Sequence, residues 1–165
     1  RKGVVEEAAK KYHANILFWT EEELLHSADV FPVEFLDIME NRKILWGTDL
    51  FTGITVDTRN LRHQIEFELR SKLLGFRMSW IGLQGRMRTM EEQLGRAGNS
   101  FLHLVERAEK SLGVTLPSSA KEPLRRAVQL KKKEIRLGGT ELETLYHDVH
   151  ESVEEAVQYV ERIKS

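Results

Sequence analysis

Two carboxylates, Glu34 and Asp37, lie within an apolar segment that spans residues 33–38. Its valine, phenylalanine and isoleucine favour extended backbone, so the segment predicts a β-strand. A carboxylate in such a strand needs hydrogen bonds, a cation or a metal ion to compensate for its loss of water. Because strand side chains alternate, the two acids are expected on opposite faces, and at most one belongs to a given site. An ion pair with Arg42 or Lys43 would explain either acid without a catalytic role.

A second group of potential metal ligands lies near the C-terminus. Its members recur at steps of three and four residues, and they are Glu143, His147, His150, Glu151 and Glu154. On one face of a helix, two imidazoles and a carboxylate can surround a single metal ion. A solvated helix face has the same composition, so the residues alone leave both interpretations open.

Arg96 and His103 are separated by six residues. This spacing is similar to the Arg-x(4–6)-His pair of the HEPN helical ribonucleases, and the resemblance implies RNA cleavage as one alternative function. Ala97 follows the arginine where that family usually has a polar residue, and Gly95 and Gly98 flank this position. A structural or surface role for His103 is the other interpretation.

Several other chemistries are excluded by the residues present. The chain has no cysteine, so it has neither a disulfide nor a catalytic thiolate. It also lacks a glycine-rich phosphate loop and a Gly-x-Ser-x-Gly elbow. The net charge is −1 with basic and acidic residues interspersed, which gives no strong signal for nucleic-acid binding. With no signal sequence or long apolar run, we expect a cytoplasmic protein with no membrane segment.

The first third of the chain reads as mixed α/β. Helical spacing predicts a helix over residues 3–12, and an apolar run predicts a strand over residues 15–19. Thr20 and Glu23 form a capping box for a short helix that ends near His26. A further short helix is predicted over residues 41–46.

The rest of the chain is organised around one long predicted helix that runs from the N-cap Asp57 to about Leu83. Its apolar stripe is formed by Leu61, Ile65, Leu69, Leu73, Phe76, Trp80 and Leu83.

Shorter helices are predicted after it, over residues 87–94, 99–112 and 118–134, with glycines ending the first two. A last helix is capped by Thr140 and Glu143. The expected fold is mainly α: an antiparallel helical bundle over residues 57–165, preceded by a small α/β part over residues 1–56.

The order of segments resembles the C-terminal part of bacterial nucleotidyltransferase-domain proteins. The residues that carry the resemblance are Phe31 to Ile38, Ile44 to Phe51 and Leu61 to Leu74, and it is strongest over residues 16–80. These proteins belong to the DNA polymerase beta-like superfamily, with the kanamycin and other aminoglycoside nucleotidyltransferases. The resemblance implies that the α/β part is a remnant of the nucleotidyltransferase sheet.

The resemblance also implies a chemistry. Members of that superfamily have a Gly-Ser turn, an Asp-x-Asp pair and a third acid on a later strand, which together form a site for Mg²⁺. The site transfers a nucleotide from a nucleoside triphosphate to an acceptor. Glu34 matches the segment of the third acid and is the candidate catalytic and metal-binding residue, with Asp37 as the fallback. No Gly-Ser turn followed by Asp-x-Asp occurs in this chain.

The chain is therefore expected to be inactive alone and to need an upstream half that supplies these acids. Its first residue is Arg1 rather than Met, which agrees with that expectation. The alternative is a non-enzymatic interaction module that forms a homo-oligomer through an exposed stripe of the long helix.

Overall fold

The computed structural model describes residues 2–14, 16–83 and 86–163. The protein is mainly helical, as the sequence predicted. Its α-helices are α1 (Lys2–Tyr12), α2 (Glu21–Leu25), α3 (Pro32–Asn41), α4 (Thr58–Ile81), α5 (Met87–Leu112), α6 (Glu122–Lys131) and α7 (Gly139–Glu161). A 3-10 helix over Ser118–Ala120 precedes α6. None of the described helices is both long enough and apolar enough to cross a membrane.

Helix α4 begins where the sequence predicted and ends two residues before the predicted Leu83. It begins after Asp57, whose carboxylate accepts a hydrogen bond from the backbone N–H of Arg59 at 2.6 Å. This contact satisfies one of the free N–H groups at the helix start. The predicted stripe from Leu61 to Trp80 is buried, and it contributes to one core with residues of α5, α6 and α7.

Helix α5 is one continuous helix of 26 residues, so the predicted interruption at Gly95 and Gly98 is wrong. Both glycines are buried against α6. A β-carbon on Gly95 would lie 2.6 Å from the Cβ of Lys131, and one on Gly98 would lie 2.5 Å from the Cβ of Ala127. The glycines are needed because two helix backbones approach closely here, not because the helix ends.

Helix α7 begins one residue earlier than the predicted cap. The backbone N–H of Gly138 donates to the carboxylate of Glu141 at 2.7 Å, so the predicted capping box of Thr140 and Glu143 is wrong. Near the start of α7, Tyr146 stacks on Trp80 at the end of α4, with ring centroids 3.9 Å apart. Towards the other end of α7, Glu161 pairs with Arg70 in the first half of α4.

The predicted strands are not found among the described residues. Residues 33–38 lie in α3, so the strand predicted there is wrong, and residues 16–19 are neither helix nor strand. Asn15, the first residue of the other predicted strand, lies outside the described residues. The helix predicted over residues 41–46 is also wrong, since α3 ends at Asn41 and the chain continues as a loop.

Helix α3 forms because Pro32 fixes the backbone of its first turn and Glu34 interacts favourably with the positive end of the helix dipole. It buries Val33 in the main core against α4. Phe35 of the same helix is also buried and belongs to a small separate cluster with Leu24, Ala28 and Ile54. The capping box of Thr20 and Glu23 that begins α2 is confirmed.

Candidate functional site

Three acids of α3, Glu34, Asp37 and Glu40, contact the neighbouring helices α4 and α5. Their spacing of three residues turns them gradually around the helix and keeps them on its bundle side. The expectation that Glu34 and Asp37 lie on opposite faces is therefore wrong, because it assumed a strand. The two acids have different partners, and this difference decides what each can do.

Glu34 is an exposed carboxylate held by a neutral partner. The side-chain amide of Gln64 on α4 donates to Glu34 Oε2 and to Glu68 Oε1, both at 2.8 Å. The carbonyl oxygen of the same amide accepts from the backbone N–H of Val33 at 2.8 Å. One glutamine thus holds two carboxylates beside the first turn of α3, and neither is neutralised by that amide.

This pair of acids does not form a complete metal site. Mg²⁺ takes six oxygen ligands in near-octahedral geometry, usually one or two carboxylates with water and substrate phosphates. Within residues 2–14, 16–83 and 86–163, no group of three or more His, Asp or Glu side chains is placed to hold one metal ion. Glu34 can supply a single ligand, and the remaining acids must come from elsewhere.

Asp37 and Glu40 are bound to cations of α5. Asp37 pairs with Arg107 and lies 3.2 Å from His103 Nε2. Glu40 accepts from Arg107 Nη1 and from the ammonium group of Lys110, both at 2.8 Å. Asp37 is thus an ion-paired residue as one interpretation held, but its partners lie on α5 and are not Arg42 or Lys43.

Arg107 is the centre of this network. Its side chain is only 6% exposed, and burial lowers its pKa below the usual value for a guanidinium. Two carboxylates compensate for the loss of water around the cation. The network fastens α3 to the bundle and leaves the Asp37 carboxylate engaged, so Asp37 is a poor candidate for a metal ligand.

The structure does not bring Arg96 and His103 to one site. They are seven residues apart on α5, which is about 10 Å along the helix axis. His103 contacts Asp37 of α3, whereas Arg96 lines the grooves that α5 forms with α4 and α6. The structural interpretation of His103 is therefore the one that its contacts favour.

The potential metal ligands of α7 are also separated. His150 and Glu154 face α4, where Arg77 donates to His150 Nε2 at 2.6 Å and also binds Glu154. Glu151 lines a different groove, beside Pro123 of α6. A guanidinium thus occupies one of the two imidazole nitrogens of His150 that could bind a metal ion.

The loop after α3 is closed by an ion pair and carries exposed apolar residues. Arg42 Nη2 lies 2.7 Å from Asp49 Oδ2, and the Arg42 Nε also donates to this carboxylate. The hydrogen bond from Arg42 lowers the pKa of Asp49 below its usual range, as does a backbone N–H from Phe51. Between the paired residues, Leu45 is 87% exposed and Trp46 is 95% exposed.

These two residues belong to a set of exposed apolar side chains in the first third of the chain, which we call the N-terminal apolar surface. It comprises the eleven exposed large apolar side chains between residues 16 and 50, namely Ile16, Leu17, Phe18, Trp19, Leu25, Val30, Phe31, Ile44, Leu45, Trp46 and Leu50. Monomeric proteins rarely expose so many large apolar side chains in one stretch, and such surfaces commonly mark contacts with another polypeptide.

Comparison of the chain with protein-family models, curated proteins and solved structures found no match. The functional proposals below therefore depend on the geometry described above and on the sequence resemblance over residues 16–80, in which helix α3 and a loop take the place of the expected strands.

Arg107 and the N-terminal apolar surface were both missed in the sequence. Arg107 stands within the apolar stripe of α5, between Leu104, Val105 and Ala108, which are all buried. An arginine at such a position requires a carboxylate from another element, and that requirement is a signal that the sequence contains. The exposure of Ile16 to Trp19 had no such signal, because a short apolar run is also typical of a buried strand.

Proposed function

We propose that this chain is a helical part of a nucleotidyltransferase-like protein and is inactive alone. It packs through the N-terminal apolar surface against the unit that carries the Gly-Ser turn and the Asp-x-Asp pair. The observation that carries the proposal is the concentration of eleven exposed large apolar side chains between residues 16 and 50, in the segment that contains Glu34. We also infer that α4 and α7 belong to an antiparallel bundle, which the neighbours Trp80 with Tyr146 and Arg70 with Glu161 support.

Trp46 is the expected anchor of that contact. Its indole is 95% exposed at a loop whose ends are joined by Arg42 and Asp49, so little loop entropy is lost when it is covered. Tryptophan is enriched among the residues that dominate binding energy. Trp19, another exposed residue of this region, stacks on Phe35 with ring centroids 5.2 Å apart, so a partner that covers Trp19 would extend the small Phe35 cluster.

Within the assembled protein, Glu34 is the acid that this chain contributes. Its carboxylate is exposed and, among the described residues, bound by the Gln64 amide alone, whereas Asp37 is held by Arg107 and His103. Mg²⁺ would be held by this acid together with the Asp-x-Asp pair, and it would neutralise the charge of a nucleoside triphosphate. Gln64 orients Glu34 and Glu68 towards that site without neutralising either of them.

The catalytic part of the proposal is tested by transfer of labelled nucleotide in the presence of Mg²⁺. The chain alone is expected to be inactive, and the protein extended with its upstream coding sequence is expected to label an acceptor or itself. In the extended protein, Glu34→Gln is expected to abolish labelling at unchanged thermal stability. Glu143→Gln, an exposed acid of α7, is the matched control. Full activity of the Glu34→Gln protein would show that this acid is not the metal ligand.

The docking part is tested by mixing the two units as separate polypeptides and measuring binding by calorimetry. Trp46→Ala is expected to weaken association by about 2 kcal/mol, which is about 30-fold in the dissociation constant. Tyr159→Ala, a half-exposed aromatic residue of α7, is expected to leave binding unchanged. Equal effects of the two substitutions would contradict docking through the N-terminal apolar surface.

A further inference from the structure

Helix α4 carries a second row of apolar residues that points away from the bundle. Phe67, Leu74, Met78 and Ile81 are 70%, 58%, 67% and 80% exposed. With the small exposed Ser71 they recur at steps of four, three, four and three residues. We call these five residues the outer row.

The outer row lies opposite the buried stripe of the same helix. Consecutive residues are turned by 100°, so Phe67 and the buried Leu69 are about 200° apart around the axis. The stripe from Leu61 to Trp80 is buried in the bundle, so an exposed stripe of this helix for self-association consists of other residues. A helix that is apolar on two opposite sides is typical of an element packed on both sides.

The spacing of the outer row identifies the kind of partner. An average step of 3.5 residues is the repeat of a helix that packs along another helix with side chains interlocked. Gly75, next to Leu74, has no atom within 4 Å of the position that its β-carbon would occupy. Because Gly75 is turned by about 100° from Leu74, a second helix can approach closely on this flank of the row.

The charged residues beside the outer row are paired within the chain. Arg70 binds Glu66 at 3.0 Å and Glu161 at 3.1 Å. Arg77 binds Glu154 in the same way, and Lys72 lies 3.7 Å from Glu68. Nucleic acid or an anionic membrane would need free cations at this surface. Two identical copies, by contrast, meet here without bringing uncompensated like charges together.

The exposed apolar area of the outer row is that of a small dimer interface. Four large side chains with more than half of each exposed offer about 450 Å² per copy, or about 900 Å² for a pair. The aliphatic parts of the flanking arginine and lysine side chains increase this buried area towards the roughly 1,200 Å² at which stable interfaces begin. An interface of that size lies at the low end of specific interfaces, so the dimer is expected to be weak and reversible.

We propose that two copies of this chain pair along α4 through the outer row, related by a two-fold axis near Leu74. The same surface then serves both copies, as in most homodimers. This contact uses a different face from the N-terminal apolar surface, so it does not depend on the proposed function.

Sedimentation velocity over a concentration series tests the proposal on the chain itself. A dimer is expected to form by about 100 μM. The double variant Leu74→Glu with Met78→Glu is expected to raise the dissociation constant at least about 100-fold, because it places like charges on both sides of the axis. Both residues are exposed in the folded chain, so the helical circular dichroism should be unchanged.

Leu25→Glu is the matched control, since Leu25 is 53% exposed on the N-terminal apolar surface. It is expected to leave the dimer intact. A monomer at the highest concentration, or a dimer that Leu25→Glu abolishes and the double variant does not, overturns the proposal.

Cysteine cross-linking is an independent test of the proposed dimer. The chain has no cysteine of its own, so an introduced cysteine is its only thiol. Gly75→Cys is expected to form a disulfide-linked dimer under mild oxidation, since residue 75 lies next to the two-fold axis. Ser118→Cys, equally exposed but at the 3-10 helix, is expected to remain monomeric. Equal cross-linking of the two variants would contradict pairing through α4.

Discussion

Replacing Gly98 with alanine tests the close packing of α5 on α6. The added methyl group would lie 2.5 Å from the Cβ of Ala127 and 3.0 Å from the carbonyl oxygen of Leu124. Ordinary contact between carbon atoms is about 3.5–4.0 Å, so α5 and α6 must separate locally by about 1 Å. Backbone atoms form part of the contact, and a rotamer change cannot relieve it.

The change in unfolding free energy expected for Gly98→Ala is the difference between two opposing effects. Overpacking of this kind costs about 1–3 kcal/mol of unfolding free energy. Alanine in the middle of a helix gains up to about 1 kcal/mol over glycine. Gly75→Ala makes the same chemical change in α4, where no atom lies within 4 Å of the new methyl group. The difference between the two variants therefore isolates the overpacking, because the helix-propensity gain cancels.

Urea denaturation followed by circular dichroism measures this difference. Gly75→Ala is expected to stabilise the protein by about 0.5–1 kcal/mol, and Gly98→Ala is expected to be about 1–3 kcal/mol less stable than Gly75→Ala. For a domain of this size, each kcal/mol corresponds to about 2–4 °C in melting temperature. Adding Ala127→Gly to Gly98→Ala removes the nearest clash and should give a favourable coupling energy. If Gly98→Ala gains stability as Gly75→Ala does, then the two helices do not approach as closely as described.

Two further predictions concern the ion pairs around α3. Arg107→Leu leaves the carboxylates of Asp37 and Glu40 without their buried cation. It should lower the unfolding free energy by about 1–3 kcal/mol in urea denaturation. A loss of stability no larger than that of a solvated surface ion pair would refute a buried network. The hydrogen bond from Arg42 lowers the pKa of Asp49 in the folded protein. The pair therefore stabilises the fold at pH values above the unfolded-state pKa of Asp49. This contribution is lost as the pH falls through the lower, folded-state pKa. Between pH values of about 6 and 2, the wild-type protein should therefore lose more stability than Asp49→Asn does; parallel curves for the two proteins would contradict the linkage.

Local signals in the sequence predicted the parts of the fold that depend on neighbouring residues. Asp57 and the pair of Thr20 and Glu23 begin helices because a side chain and a backbone N–H a few residues apart satisfy each other. The buried stripe of α4 follows from the 3.6-residue period alone. These features need no knowledge of the rest of the chain.

Features that depend on distant residues were not predicted. Gly95 and Gly98 look like helix breakers until the backbone of α6, about thirty residues later, is seen against them. Glu40 and Arg107 are 67 residues apart, and their pairing is invisible in the spacing of either helix. The outer row of α4 was overlooked because a stronger apolar stripe on the same helix accounted for its periodicity.

The segment of residues 33–38 shows why a short apolar run does not determine its own secondary structure. Its apolar residues fit a strand by composition and a helix by spacing, since Phe35, Leu36 and Met39 share one side of α3. The two conformations differ in the faces on which Glu34 and Asp37 lie. A strand would send Glu34 and Asp37 to opposite faces, whereas the helix brings both to the bundle, where Gln64 and Arg107 bind them.

The choice of conformation also separates the roles of the two acids. Asp37 meets a buried guanidinium that needs its charge, so releasing it to a metal ion would leave Arg107 uncompensated. Glu34 meets an amide that can keep both of its hydrogen bonds while a metal ion binds a free carboxylate oxygen. Glu34 is therefore the acid that can serve a second unit without cost to the helical fold, and this is why its substitution is the decisive test of the proposed function.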